Sequence, residues 1–157
     1  MTSLAGTYVE FPLHPASDQY LKDFIEKTLL FPRPKNLHST TVYSHNPIDY
    51  SPGVYQPSDM VALPNDYHFL LFHRLGDPGR GLCLCLGVNA AALHQCHRFA
   101  KWLGATWDYP DFSPHITLAY NLGVEDVVGR KLYLPRFQIT FLPEVVKELD
   151  PDGKVSK

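Results

Sequence analysis

Leu37-His38-Ser39-Thr40-Thr41-Val42-Tyr43-Ser44 decides the fold, because Ser113-Pro114-His115-Ile116-Thr117-Leu118-Ala119-Tyr120 echoes it later in the chain. Both stretches are rich in β-branched and aromatic residues, the composition of strands. Residues i and i+2 of a strand share a face, roughly 7 Å apart. His38 and Thr40 therefore point the same way, as do His115 and Thr117. If the two strands lie side by side, four polar side chains line one groove. A single His-x-Thr triplet is common by chance. Two of them in matching strand contexts, separated by enough chain for a sheet and a helix, point to a shared site.

Working outward, Gly6 to Phe11 reads as a strand, and Asp18 to Leu30 as a helix with Ser17 as a possible cap. Residues 45–57 contain Pro47, Pro52, Gly53 and Pro57 and form a loop suited to the rim of a site. Strands are predicted over Asp59–Leu63 and Tyr67–Leu75, the second turning through Gly76–Gly81 into a hairpin partner at Leu82–Leu86. Asn89 is placed to cap a second helix that ends at Gly104, with Trp102 packed against a sheet. After His115–Tyr120, one helical turn is predicted at 124–128, then strands over Lys131–Phe141 and Glu144–Leu149, broken at Pro135 and Pro143. Two strand-helix-strand passages, ending at His38 and at His115, give an α+β protein with two sheet-bearing lobes. The length of 157 residues predicts one domain, residues 1–157.

The formal net charge of -2 argues against a large basic surface for tracking long nucleic acid, but leaves room for a short nucleotide in a locally positive cleft. Cys83, Cys85 and Cys96 are an odd number with no paired spacing and read as reduced, mostly buried thiols. His94, Cys96 and His97 lie close on one helix, yet no further ligand or HExxH pattern accompanies them, so neither a metal nor a cofactor is expected. There is no secretion-signal pattern and no run of about twenty apolar residues, which predicts a cytoplasmic location and no membrane partner. A GxxxxGK[ST] phosphate loop and a Gly-x-Ser-x-Gly nucleophile elbow are both absent.

Two histidines flanking a phosphoryl group can accept one proton and donate another at neutral pH. Hydroxyls held on rigid strands can donate to its non-bridging oxygens. With His38-Ser39-Thr40 and His115-Ile116-Thr117 in strand contexts over nearly the whole chain, the sequence resembles the 2H phosphoesterase superfamily. More narrowly, through Gly6-Thr7-Tyr8, the helix that follows and Phe137-Gln138-Ile139-Thr140-Phe141, it resembles the bacteriophage anti-CBASS phosphodiesterases. Those enzymes destroy cyclic oligonucleotide alarm signals made by infected bacteria.

The resemblance implies a bilobal fold with two antiparallel-rich sheets, flanking helices and a central cleft. It also implies metal-independent cleavage of 3'-5' bonds in cyclic di- or trinucleotides, with His38, Thr40, His115 and Thr117 catalytic. Tyr8, Tyr43, Trp107, Tyr109 and Glu144 are candidate substrate-binding residues; Trp107 and Tyr109 fit best, since a loop aromatic can stack on a purine. Lys35, Arg74, Arg80 and Arg136 could attract phosphate, although solvent exposure is their simpler reading. The rival readings are a 2H enzyme acting on RNA termini, 2',3'-cyclic phosphates or 2'-5' oligoadenylate, and a nucleotide-sequestering protein with little turnover. The four motif residues do not separate them, assign acid and base, or fix the oligomeric state.

Overall fold

A computed structural model describes residues 5–73 and 81–155. Among the described residues, ten strands and α-helices follow one another: β1 (Gly6–Pro12), α1 (Pro15–Lys27), β2 (His38–Ser44), β3 (Val61–Ala62), β4 (His68–His73), β5 (Leu82–Gly87), α2 (Ala91–Trp102), β6 (His115–Leu122), β7 (Ile139–Thr140) and β8 (Val145–Leu149). One three-stranded sheet has the order β2-β1-β8 and the other β4-β5-β6, while β3 and β7 make a short ribbon. All the strand pairings are antiparallel. The expected α+β architecture of two sheet-bearing lobes with helices beside them is present. Each lobe contains the expected passage: α1 joins β1 to its neighbour β2, and α2 joins β5 to its neighbour β6.

β2 and β6 are both edge strands, and they approach each other where the lobes meet. The core runs through this junction, with Val9, Phe11, Leu21 and Ile25 on one side and Leu84, Leu86, Leu93, Ile116 and Leu118 on the other. Each side chain of this size, fully buried, contributes about 1.5–3 kcal/mol. α2 presents Ala92, Leu93, Cys96 and Ala100 inward, near-helical spacing that seats it against β2. Trp102 lies off this stripe, is 80% exposed and stacks on Phe99, so it does not pack on a sheet as expected.

Both motif strands break the simple alternation of a pleated strand. Along β1–β2 the register runs Val9↔Val42 and then Glu10↔Thr40, leaving Thr41 as an extra residue. Along β5–β6 it runs Cys85↔Thr117 and then Leu84↔Ala119, leaving Leu118 extra. Each bulge directly follows a His-x-Thr triplet, and both strands bury Thr41-Val42 or Leu118-Ala119 as a consecutive pair. The bulges let the motif residues face the cleft while the rest of each strand turns its apolar side to the core.

Several boundaries differ from expectation. α1 begins at Pro15, and the His14 Nδ1 caps it by accepting from the Ala16 amide. Ser17 lies inside the helix, where its hydroxyl accepts from the Thr140 amide. α2 has no side-chain cap; Asn89 pairs with the His94 ring at 3.0 Å instead. Only Val61–Ala62 and Ile139–Thr140 of their predicted strands form ladders, because Pro57, Pro64 and Pro135 deny amide donors to their flanks. Arg74, Arg80 and the turn from Gly76 to Arg80 lie outside the described residues.

Gly6 begins β1 against the main chain of β2: a Cβ there would lie 1.9 Å from the Ser44 carbonyl oxygen. Ser44 in turn receives the Thr106 amide on its hydroxyl, anchoring the loop that enters the cleft. Gly6→Ala should therefore push β1 from β2 and destabilise the protein by about 1–3 kcal/mol. Chemical denaturation read by far-UV circular dichroism tests this; an unchanged midpoint would refute the close approach.

Candidate active site

A cavity of about 400 Å³ lies between the lobes and receives Thr40 from β2 and His115 and Thr117 from β6. Cys83 and Cys85 on β5 also line it, with Tyr43, Phe72, Trp107 and Tyr109 as its aromatic residues. His38 lines a neighbouring polar cavity of about 330 Å³ together with Glu10, Lys35 and Lys147. It remains near enough to His115 for its charge to disfavour a second charge there. Thr40, His115 and Thr117 thus share one cavity, and His38 stands in the polar one beside it.

Each threonine is backed by a side chain from the central strand of its own sheet. The Tyr8 and Thr40 hydroxyls are 2.8 Å apart, and the Cys85 Sγ lies 3.5 Å from the Thr117 Oγ1. Burial pushes both backing groups up to about 12, so phenol and thiol keep their protons at neutral pH. Tyr8 is itself buried and stands behind Thr40, not among the residues lining the cavity.

The histidines are held differently. The His115 Nδ1 lies 2.8 Å from the Ser113 carbonyl, which only accepts; Nδ1 therefore carries hydrogen, leaving Nε2 for chemistry. Phe72 packs against the His115 ring at a centroid distance of 4.7 Å. The His38 Nδ1 is buried without a hydrogen-bond partner, 3.7 Å from the Glu10 carboxylate, which pairs with Lys147 at 3.1 Å. Burial lowers the pKa of both rings; Glu10 opposes this at His38, and the Ser113 carbonyl opposes it at His115.

Trp107 and Tyr109 come from the loop between α2 and β6. The Trp107 indole donates to the Asp111 carbonyl and packs edge-on to His97, which stacks on Phe112 at 4.1 Å. Tyr109 is 56% exposed at the mouth of the cavity. Across the mouth, the His45 Nε2 meets the Asp108 carboxylate at 2.8 Å, tying the loop after β2 to the loop before β6. Tyr43 lines the cavity and also donates its hydroxyl to the Gly153 carbonyl.

Glu144 stands apart from these. It is 7% exposed, and one carboxylate oxygen accepts from the Tyr50 and Tyr55 hydroxyls, so it organises the loop 45–57 and does not line the cavity. Among the described residues no three His, Cys, Asp or Glu side chains form a group that could hold a metal ion. Nor is any helix among them long and apolar enough to cross a membrane. Glu10, His45, Phe72 and Asp108 are absent from the sequence-based site. Glu10 had one local signal, being two residues beyond Tyr8 and thus on the same face of β1; the others are joined to the site only by tertiary contacts.

Comparison with known proteins finds relatives of the chain. The family model described as "Anti-CBASS protein Acb1" matches residues 5–156. A protein so named from Escherichia phage RB16 is 31% identical over 125 residues, covering 77% of this chain and 66% of its own. The one from Acinetobacter phage Ac42 is 30% identical over 128 residues, covering 82% and 75%. A third, from Salmonella phage S16, is 33% identical over 110 residues, covering 67% and 66%. The aligned part of the chain thus spans about two thirds to three quarters of these relatives' length.

Burial depresses the pKa of His38, His94, His97 and His115 below the ordinary 6.5. The unfolded chain therefore binds these protons first as pH falls, and stability must decline once pH drops below about 6.5. The thermal midpoint should be flat from pH 8 to 7 and fall between pH 6.5 and 5. A midpoint that rises over that interval would contradict the buried neutral imidazoles.

Proposed function

This chain belongs to the Acb1 family of anti-CBASS proteins, and from that premise we propose that it is a metal-independent phosphodiesterase. Its substrates on this reading are cyclic di- or trinucleotide immune signals, cut at their 3'-5' bonds, and the outcome is protection of a phage from its host's alarm pathway in the host cytoplasm. The observation that supports the reading is that Thr40, His115 and Thr117 line one cavity where β2 and β6 approach, with His38 in the cavity beside it.

In the proposed reaction the ribose 2'-hydroxyl next to the scissile bond is the nucleophile. One histidine takes its proton as oxygen attacks phosphorus, the other gives a proton to the departing 5' oxygen, and a 2',3'-cyclic phosphate end forms. Thr40 and Thr117 donate to the non-bridging oxygens, whose charge grows in the transition state. When Tyr8 donates to Thr40, and the Cys85 thiol to Thr117, each threonine hydroxyl keeps its own hydrogen free to turn toward phosphate. Such donors need no rearrangement at the moment of reaction, which is why rigid strands suit them.

The aromatic cavity supports a compact ligand with stackable bases. Tyr43, Phe72, Trp107 and Tyr109 line it, and a base stacked on such a ring is worth about 1–3 kcal/mol. The near-neutral chain supports the same view, since long RNA would demand an extended basic surface.

Chelated enzyme should linearise 3',3'-cyclic dinucleotides, with a higher kcat/KM than for 2',3'-cyclic mononucleotides or short linear RNA. His38→Ala and His115→Ala should each lose about 10²–10⁴-fold in turnover with the fold retained. Near-wild-type turnover of either variant, or activity that returns only with added divalent metal, would overturn the proposal. A ring lacking the 2'-hydroxyl at the scissile position should resist cleavage, and undiminished cutting of it would exclude the intramolecular route.

A further inference from the structure

We propose that Glu10 is a positioning residue that makes His38 the general acid and leaves His115 the general base. This rests on the phosphodiesterase reading above and settles a question that the two equivalent triplets leave open.

The asymmetry lies in what stands behind each ring. A carboxylate only accepts, so the Glu10 carboxylate 3.7 Å from the His38 Nδ1 favours hydrogen there, which leaves Nε2 to carry the transferable proton of the imidazolium. The buried Nδ1 has no hydrogen-bond partner and stands 3.7 Å from that carboxylate, and protonation of the ring gives both groups reason to close the gap. His115 has a neutral backbone carbonyl in the same place. A carbonyl fixes the tautomer needed for a base, but it does not stabilise an imidazolium as a carboxylate does.

Burial holds both rings mainly neutral and two adjacent imidazolium ions oppose each other, so the pair works when it takes up a single proton, which Glu10 biases toward His38. The 2'-oxygen then loses its proton to the His115 Nε2 and bonds to phosphorus. The bond from phosphorus to the 5' oxygen breaks, and that oxygen takes the proton from the His38 Nε2. The pair ends with its proton on His115, and exchange with solvent restores the starting form.

The position of Glu10 follows from the bulge. The extra Thr41 brings Glu10 opposite Thr40, two residues from His38 and on the same face. The other charged groups about His38 are Lys147 from β8, Lys35 from the loop before β2, and Asp18 with Lys22 from α1, which pair with each other at 2.9 Å. His115 faces it from β6. Lys147 acts against the imidazolium, and Glu10 for it.

The test is a set of pH profiles of kcat/KM on a 3',3'-cyclic dinucleotide, with imidazole NMR titrations of the same proteins free of ligand. Glu10→Gln should lower the His38 midpoint by about one pH unit. It should bring down the alkaline limb of the profile equally and leave the acid limb unmoved. Lys147→Met should move the His38 midpoint the other way. A substrate with sulfur in place of the scissile 5' oxygen needs no acid, and should restore Glu10→Gln and His38→Ala by roughly 10²-fold or more while leaving His115→Ala inactive.

Displacement of the acid limb alone, or thio rescue of His115→Ala instead, would reverse the assignment and overturn the proposal. An unmoved His38 midpoint in Glu10→Gln would overturn the pairing itself. Wild-type protein that cuts no cyclic dinucleotide would refute the phosphodiesterase reading, which the NMR titration keeps separate from the fate of Glu10.

Discussion

A strand offers alternate residues to alternate faces, and a strand that must serve both a core and a cleft meets a conflict. In this protein one extra residue after each His-x-Thr triplet resolves it. Thr41 and Leu118 turn inward beside Val42 and Ala119, so the apolar side of each strand stays on the core while the triplet faces outward. Straight alternation in β2 would put Val42 on the face of His38 and Thr40, and Tyr43 and Glu10 opposite them. The cleft, the backing of Thr40 by Tyr8 and the placement of Glu10 all depend on this local break.

The two lobes repeat the arrangement with different chemistry. In each, the edge strand carries the triplet, and the central strand supplies a protonated group behind the threonine. The histidines diverge: one has a carboxylate and a lysine nearby, the other a backbone carbonyl and a phenyl ring. A reaction that needs a proton removed at one oxygen and delivered to another requires two histidines in unlike states. Equivalent folds with unequal surroundings meet that need at neutral pH.

Around this centre loops contribute part of the aromatic walls, Trp107 and Tyr109, beside Tyr43 of β2 and Phe72 of β4. They are held by contacts that cross between lobes and elements: Ser44 to Thr106, His45 to Asp108, and His97 to both Phe112 and Thr41. Glu144 belongs to this supporting class, since Tyr50 and Tyr55 converge on its buried carboxylate. Their hydroxyls replace the water that one of its oxygens loses on burial.

The sequence by itself determined the alternation and residue types of the motif strands, the two strand-helix-strand passages, the buried thiols and the triplets' chemistry. These are local matters, governed by period, propensity and side-chain identity within a few residues. It also permitted Trp102 to be placed against a sheet, since composition says nothing of which neighbour fills the space beside a ring. Only the tertiary structure decided that Trp102 faces solvent, that Tyr8 stands behind Thr40, and that Glu10 of β1 and Lys147 of β8 meet beside His38. Those positions depend on strand register, where a shift of one residue exchanges the two faces, and register is fixed by the fit of the whole core.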